Sequence, residues 1–162
     1  MNKQERSASK CRPVRWTSGL VAAAAAAVLM LGSSQAMAQQ RQTINFGVTF
    51  PLTGIAASQG EAATKAVGIA LKEITDADYI GGVDLEPVFL DTEAKPDIGV
   101  RALQQAISIN QVPYVITGYS SVSAAQAPLA ERGKIVLVNV GGASPILSGL
   151  SPWFFNAIPL TH

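Results

Sequence analysis

The sequence is poor in the residues that most often build catalytic and metal sites. Its 162 residues include one cysteine, Cys11, and one histidine, His162. A single cysteine excludes a disulfide framework and a thiolate zinc site, and a single terminal histidine argues against a Ser-His-Asp triad. Neither of the glycine-rich phosphate-binding patterns, G-x-G-x-x-G and G-x-x-x-x-G-K-[ST], occurs. The sequence therefore offers no catalytic residue, metal ligand or cofactor site, and the protein is predicted not to be an enzyme.

Charge is also scarce, and it is balanced. Lysine and arginine together number 12, aspartate and glutamate 11, and charged residues make up 14% of the chain. Because phosphate binding needs clustered basic side chains, this composition argues against a nucleic-acid-binding protein. Hydrophobic residues reach 48%, which is too many for a disordered chain and enough for a real core.

The first 38 residues have the pattern of a secretory signal peptide. A basic segment precedes the uncharged apolar stretch Leu20–Leu31, and the small residues Ala36 and Ala38 follow at the spacing of a cleavage site. The apolar stretch is shorter than the about 20 residues that a membrane span needs, which favours a cleaved signal over an uncleaved anchor. No Arg-Arg pair occurs, so we expect the general secretory route and cleavage after Ala38.

From residue 39 onward, short apolar runs alternate with longer segments of helical periodicity. Such alternation is typical of βαβ units, and nearly continuous apolar strands are typical of a parallel sheet covered on both faces. The fold class is therefore predicted to be α/β, with an open, doubly wound parallel sheet. Pro128 is expected to kink or shorten the last helix, and Gly133 to form its C-terminal cap. The predicted strands are 44–50, 83–90, 112–117, 135–140 and 153–158, and the predicted helices are 59–75, 96–110 and 123–132.

In such a sheet, ligands bind at the carboxyl ends of the strands. The loop 118–123 precedes a helix, so its hydroxyls and the free helix N–H groups can hold a small anion such as a carboxylate. From the residues alone, the favoured interpretation is that Ser121 or Ser123 is a plain helix cap, and the two roles are compatible. The loop 141–145 can admit close approach of a ligand to the backbone, or it is a simple turn. Asp91 and Glu93 are interpreted as part of a solvated turn rather than as an acid/base pair.

Three segments together carry a resemblance to a known family. They are INFGVTFPLTG (Ile44–Gly54), the long run Val112–Leu147, and WFFNAIP (Trp153–Pro159). Their order and spacing, with a signal peptide before them, resemble the type I periplasmic solute-binding proteins of ABC transporters, in the branch of leucine/isoleucine/valine-binding receptors. That family has two α/β lobes joined by a hinge, with the ligand enclosed between them. The resemblance implies that residues 39–162 are the N-terminal lobe, and that the chain is a fragment or a truncated product without the second lobe.

The resemblance also implies ligand-binding positions in three loops, which in the family hold the carboxylate and amino group of an amino acid. Ala143 stands where the family usually has a hydroxyl, so Ser144 is expected to take that role. Gln59 stands where some members place an aromatic residue, which argues against a purely aliphatic pocket. The implied binding residues are Ser120, Ser121 and Ser123 after the third strand, Gly141, Ala143 and Ser144 after the fourth, and Gln59 after the first.

The function implied by the resemblance is that of an exported, non-enzymatic solute-binding protein. It binds an amino acid or a similar small carboxylate in the periplasm, needs no cofactor, and passes the ligand to a membrane ABC permease. The alternative is a ligand-sensing receptor domain of the same fold that acts in signalling. An exported α/β enzyme is a third class, which the missing catalytic residues disfavour.

Overall fold

The computed structural model describes residues 41–161, so the predicted signal peptide and its cleavage after Ala38 lie outside the described residues. Within the described range, strands and helices alternate from the first strand to the fourth, and a fifth strand follows. The strands are β1 (Gln42–Phe50), β2 (Val83–Asp91), β3 (Tyr114–Thr117), β4 (Val136–Asn139) and β5 (Phe154–Asn156); the helices are α1 (Ala57–Asp76), α2 (Pro96–Ser108) and α3 (Ser120–Gly133); single 3₁₀ turns span Gly54–Ala56 and Pro145–Leu147.

The five strands form one parallel sheet in the order β2-β1-β3-β4-β5. This confirms the predicted α/β class and the doubly wound parallel sheet. From β1 the chain moves to one edge of the sheet and then returns across it to β3. The winding direction therefore reverses between β1 and β3, and in open α/β sheets such a reversal opens a crevice at the carboxyl ends of the two strands.

The core has two parts, one on each face of the sheet. On one face, α2 and α3 pack against the sheet, and the fully buried side chains between them include Leu103 of α2 and Val115 of β3. On the other face, α1 packs over Phe46, Val48 and Phe50 of β1. Full burial of one such side chain contributes about 1.5–3 kcal/mol, so these contacts fix the sheet beneath the crevice.

The face that carries α1 is only partly covered in the described part of the chain. Helix α1 lies over β1 and β2, whereas Phe155 of β5 is 52% exposed and Val140, just after β4, is 39% exposed. Ile69 on α1 is 70% exposed. The prediction that both faces are covered is therefore right for the strands beneath α1 and wrong for β5, as far as the described residues go.

Helix α3 differs from the prediction at both ends. It begins at Ser120 rather than Ser123, and it continues through Pro128, so the proline does not shorten it. The side chains of Val122, Ala127 and Ala130 are buried under the helix, and this packing outweighs the loss of one backbone hydrogen bond at the proline.

The cap of α3 is Lys134, in the left-handed conformation with φ 51°, and the prediction of a Gly133 cap is wrong. Gly133 instead allows α3 to approach α2, because a Cβ there would lie 3.2 Å from Cδ1 of Ile107. Strands β3, β4 and β5 are shorter than predicted, since apolar runs continue past the paired residues. None of the helices described here has the length and apolar character that crossing a membrane requires.

Candidate functional site

The end of β1, the first turns of α1 and the loops after β3 and β4 border a cleft of about 420 Å³. Phe50 and Ile116 form its floor, the first turns of α1 form one wall, and Gly118 and Gly141 lie opposite. Gln59 is exposed at the start of α1 and lines the same cleft. Gln59 and Gly141, two of the predicted binding residues, are 82 positions apart in the sequence. The structure places both of them at the predicted crevice.

Glycine is required where the loops after β3 and β4 touch. A Cβ at Gly118 would lie 2.2 Å from the ring of Phe50, and a Cβ at Gly141 would lie 2.6 Å from the carbonyl oxygen of Gly118. The N–H of Val140 donates to the carbonyl of Thr117 at 2.9 Å, which holds the two loops together. The backbone at this edge is consequently close-packed, and Gly118 and Gly141 both border the cleft.

The three predicted serines lie in the first turn of α3 and differ in exposure. Ser121 is exposed and Ser120 is half-buried, whereas Ser123 is fully buried with its hydroxyl 3.2 Å from that of Thr117. The N-cap residue is Tyr119, and its side chain forms no capping hydrogen bond. The interpretation of Ser121 or Ser123 as a helix cap is therefore wrong, because the helix begins before both.

The loop after β4 is tied to α3 and to the end of the described chain. The amide of Ser144 donates to the hydroxyl of Ser120 at 3.3 Å, so these two predicted residues are neighbours. The carbonyl of Ala143 accepts from the amide and the hydroxyl of Thr161, at 2.8 and 2.9 Å. Ser144 is half-buried beside the first turn of α3, and its ligand-binding role stays a prediction.

Asn139 is a site residue that the sequence analysis missed. It ends β4, it is fully buried, and its Oδ1 accepts the amides of Gly141 and Gly142 at 3.3 and 2.8 Å. Its Nδ2 donates to the carbonyl of Gly142 at 2.6 Å and to Oδ1 of Asn156 at 2.9 Å. The sequence analysis treats residues 135–140 as one apolar strand, although Asn139 is a single amide side chain just before a Gly-Gly pair, and this was the available signal.

Asp91 is a second residue whose role was misread. Its half-buried carboxylate accepts hydrogen bonds from the amides of Leu52, Thr53 and Glu93 and from the hydroxyl of Thr53. Burial alone would raise the pKa of this carboxyl, but the hydrogen bonds from Thr53, Glu93 and Leu52 lower it below its ordinary value. Asp91 is therefore an ionised structural anchor of the loop after β1 and not part of a freely solvated turn.

The electrostatics of the site suit a small anion better than a cation. None of the predicted binding residues carries a charge, and the first N–H groups of α3 have no acceptor within the helix. The N-terminal end of a helix carries a partial positive charge that favours a carboxylate. Among residues 41–161, no cluster of histidine, cysteine, aspartate and glutamate has an arrangement that fits a metal ion.

The comparisons with known proteins agree with this fold. The family model described as periplasmic binding protein matches residues 43–162. Subunit 1 of the gamma-aminobutyric acid type B receptor of Caenorhabditis elegans is 30% identical over an alignment of 126 positions, which covers 72% of this chain and 14% of that protein.

Two solved structures are also similar. A solute-binding protein of an ABC transporter from Rhodopseudomonas palustris BisB5, in complex with 3,4-dihydroxybenzoic acid, is 27% identical with a TM-score of 0.64, over 70% of this chain and 31% of that one. A branched-chain amino acid transporter substrate-binding protein from Streptococcus pneumoniae, in complex with isoleucine, is 23% identical with a TM-score of 0.66, over 74% and 34%. The chain thus spans about a third of each structure. With most of its residues matched by the family model and its sheet matched by these structures, the chain belongs to the periplasmic binding protein family, with the type I fold of the branched-chain amino acid receptors.

Proposed function

We propose that residues 39–162 form the N-terminal lobe of an exported solute-binding protein that binds an amino acid or a similar small carboxylate and delivers it to a membrane ABC permease. The observation that carries the proposal is the meeting of the α3 N-terminus and the 141–144 loop beside an apolar cleft. A helix N-terminus provides donors for a carboxylate, and the cleft provides apolar surface for the rest of the ligand.

Within this site the predicted residues have different roles. The exposed hydroxyl of Ser121 and the first N–H groups of α3 bind the ligand carboxylate. Ser123 is buried against Thr117 and supports the turn from below. Ser120 and Ser144 join the two loops, and Gly141 and Gln59 shape the border of the ligand site, while Ala143 holds the end of the 141–144 loop through its carbonyl.

An aromatic carboxylate is a second candidate ligand. Phe50 and Ile116 form the floor of the cleft, and Gln59 places a side-chain amide at its border. A ligand with an aliphatic side chain would have no group to hydrogen-bond to this amide. One of the similar solute-binding proteins was solved with 3,4-dihydroxybenzoic acid. A flat ring can stack on Phe50 while its hydroxyl groups bond to a side-chain amide.

A receptor role in signalling is the alternative function. It is favoured by the similarity to a gamma-aminobutyric acid type B receptor subunit, which covers most of this chain but only 14% of that protein. The ligand chemistry is the same in both cases, a small carboxylate, so the two functions differ in the partner and not in the site.

Export is part of the proposal, and it has its own test. The basic segment, the apolar stretch Leu20–Leu31 and the Ala36-Met37-Ala38 site support cleavage by signal peptidase. The N-terminal sequence of the protein recovered from a periplasmic extract is expected to begin at Gln39. A recovered protein that still contains Leu20–Leu31 would instead indicate a membrane anchor.

Ligand binding is tested by titrating ¹⁵N-labelled residues 39–162, prepared on their own as one lobe, with leucine, gamma-aminobutyric acid and 4-hydroxybenzoate. We expect one of them to shift the amide signals of residues 120–123 and 141–144 with a dissociation constant of about 1 mM. Affinity is low because a single lobe leaves the ligand half in water, where hydrogen bonds and charge interactions are weaker. Micromolar binding would contradict the need for a second lobe, and shifts confined to other residues would contradict the site.

Two serine variants provide the matched control. Ser121→Ala should leave the melting temperature unchanged and weaken binding by about tenfold or more, because a hydrogen bond to a charged group contributes about 1.5–3 kcal/mol. Ser123→Ala should instead lower stability by about 1–2 kcal/mol, because it leaves the buried hydroxyl of Thr117 without this partner. Equal effects of the two variants on affinity would contradict the proposed division of roles.

A further inference from the structure

The carboxylate of Asp91 holds the point at which the chain leaves β1. Its Oδ1 accepts the amides of Leu52 at 2.8 Å, Glu93 at 2.9 Å and Thr53 at 3.3 Å, and its Oδ2 accepts the hydroxyl of Thr53. Asp91 itself pairs with Phe50 in the sheet. One side chain at the end of β2 therefore fixes two successive residues of the turn between β1 and α1.

The same turn is held from the other side by α1. A Cβ at Gly60 would lie 2.2 Å from the carbonyl oxygen of Pro51, so the first turn of the helix rests directly on the backbone of the turn. Gln59 precedes this contact and lines the cleft. Because backbone presses on backbone, a movement of the turn must also move the start of α1, and with it the side chain of Gln59.

The charged side chains near Asp91 form ion pairs with one another and not with Asp91. In the following loop, Lys95 forms an ion pair with Glu93 at 2.7 Å. On α2, Arg101 borders the same small cavity as Asp91 and forms an ion pair with Asp97 at 3.2 Å. The turn from Pro51 to Gly54 contributes no charged side chain. The hydrogen-bond donors to Asp91 are thus three amides and a hydroxyl, which a carboxylate satisfies far better than a carboxylic acid.

We propose that Asp91 is a positioning residue of the binding site, which holds Gln59 and the α1 wall of the cleft at the distance from Gly118 and Gly141 that a ligand requires. That the position of Gln59 matters for a ligand rests on the proposed function. The connection from Asp91 through the turn and α1 to Gln59 rests on the contacts alone. Asp91 touches no ligand in this arrangement and acts only through the turn.

The link predicts a response to pH. The folded-state pKa of Asp91 lies below that of an unfolded carboxyl, about 3.9. The stabilisation by the carboxylate is therefore complete above that ordinary value and is lost as the pH falls through the lowered folded pKa. Between neutral pH and this range, the turn and Gln59 should not change.

The test follows the amides of Leu52 and Thr53 and the side-chain amide of Gln59 by NMR, without ligand, from pH 7 to pH 2.5. We expect all three signals to move together, with a midpoint below the ordinary value of a carboxyl. In Asp91→Asn the movement should vanish, and the Gln59 signal at pH 7 should be displaced from that of the unaltered chain. Asp84→Asn is the control, since it removes a carboxylate of the same strand whose partner is Arg41, and it should leave the Gln59 response intact.

The result for Gln59 decides the proposal whether or not a ligand binds. If Leu52 and Thr53 respond to protonation and Gln59 does not, Asp91 only holds the turn and the positioning role is overturned. In the ligand arm, the probe that shifts residues 120–123 of the unaltered chain should bind to Asp91→Asn about tenfold more weakly, and an equal affinity also overturns it. Absence of binding by the unaltered chain counts against the proposed function alone. Should Asp91→Asn fail to fold, Thr53→Val removes a single hydrogen bond to the carboxylate and is expected to displace Gln59 in the same direction.

Discussion

Replacing Asn139 with alanine is expected to lower the free energy of unfolding by about 3 kcal/mol and to loosen the loop that follows β4. The variant loses four side-chain hydrogen bonds, to both amides of the Gly141-Gly142 pair, to the carbonyl of Gly142 and to Asn156. The amide of Gly142 is buried, and a buried donor left without a partner costs about 1–3 kcal/mol in addition to the cavity. Urea denaturation followed by circular dichroism measures the change.

Two further variants separate the contributions to this effect. Asn156→Ala removes one hydrogen bond to Asn139 and one to the carbonyl of Leu147. Because Asn156 is exposed, this variant should lower the free energy of unfolding by less than about 1.5 kcal/mol. Asn139→Asp keeps an acceptor for the two glycine amides but turns the donor into a charge that faces the carbonyl of Gly142, so it should be at least as harmful as alanine. An alanine variant as stable as Asn156→Ala would contradict the role of Asn139 in holding the loop.

The fold was predictable from the sequence because its strongest signals are local. The alternation of Ile44, Phe46, Val48 and Phe50 and the apolar stripe of α2 each lie within one element, and the order of elements leaves few topologies for a parallel sheet. Boundaries were less accurate. The start of α3 at Ser120 depends on the packing of its first turn against the loop after β4, and the propensities of serine and glycine do not encode that packing.

The anchors of the site were not predictable, because each acts through contacts distant in sequence. Asp91 bonds to Leu52, 39 positions earlier, and only the pairing of β2 with β1 brings the two together. In the sequence, Asn139 is one polar residue within an apolar run. Only the structure shows that its side chain bonds to the amides of Gly141 and Gly142. Gln59 and Gly141 were identified through family resemblance, and the structure places both at one cleft. Ser123 was given the same role as Ser121, although burial separates them.

Two glycines of α1 provide the sharpest test of how the cleft wall is held. Glycine in a helix is less favourable than alanine by about 0.5–1 kcal/mol. At Gly68 an added Cβ meets nothing within 4 Å, so Gly68→Ala should stabilise the protein by about that amount. At Gly60 the same Cβ would lie 2.2 Å from the carbonyl oxygen of Pro51 and 2.8 Å from its carbon, both backbone atoms that cannot turn aside.

Gly60→Ala should therefore have the opposite sign and destabilise the protein by about 2–3 kcal/mol, the upper part of the range for overpacked cores, since the helix must lift from the turn that Asp91 holds. Thermal unfolding of the two variants and the unaltered chain measures both shifts in one series. The lifted helix should also displace the Gln59 amide signal, as Asp91→Asn does, because both changes act on the same turn. If Gly60→Ala were as stable as Gly68→Ala, α1 would not press on Pro51, and the wall of the cleft would be set by the sheet contacts of α1 alone.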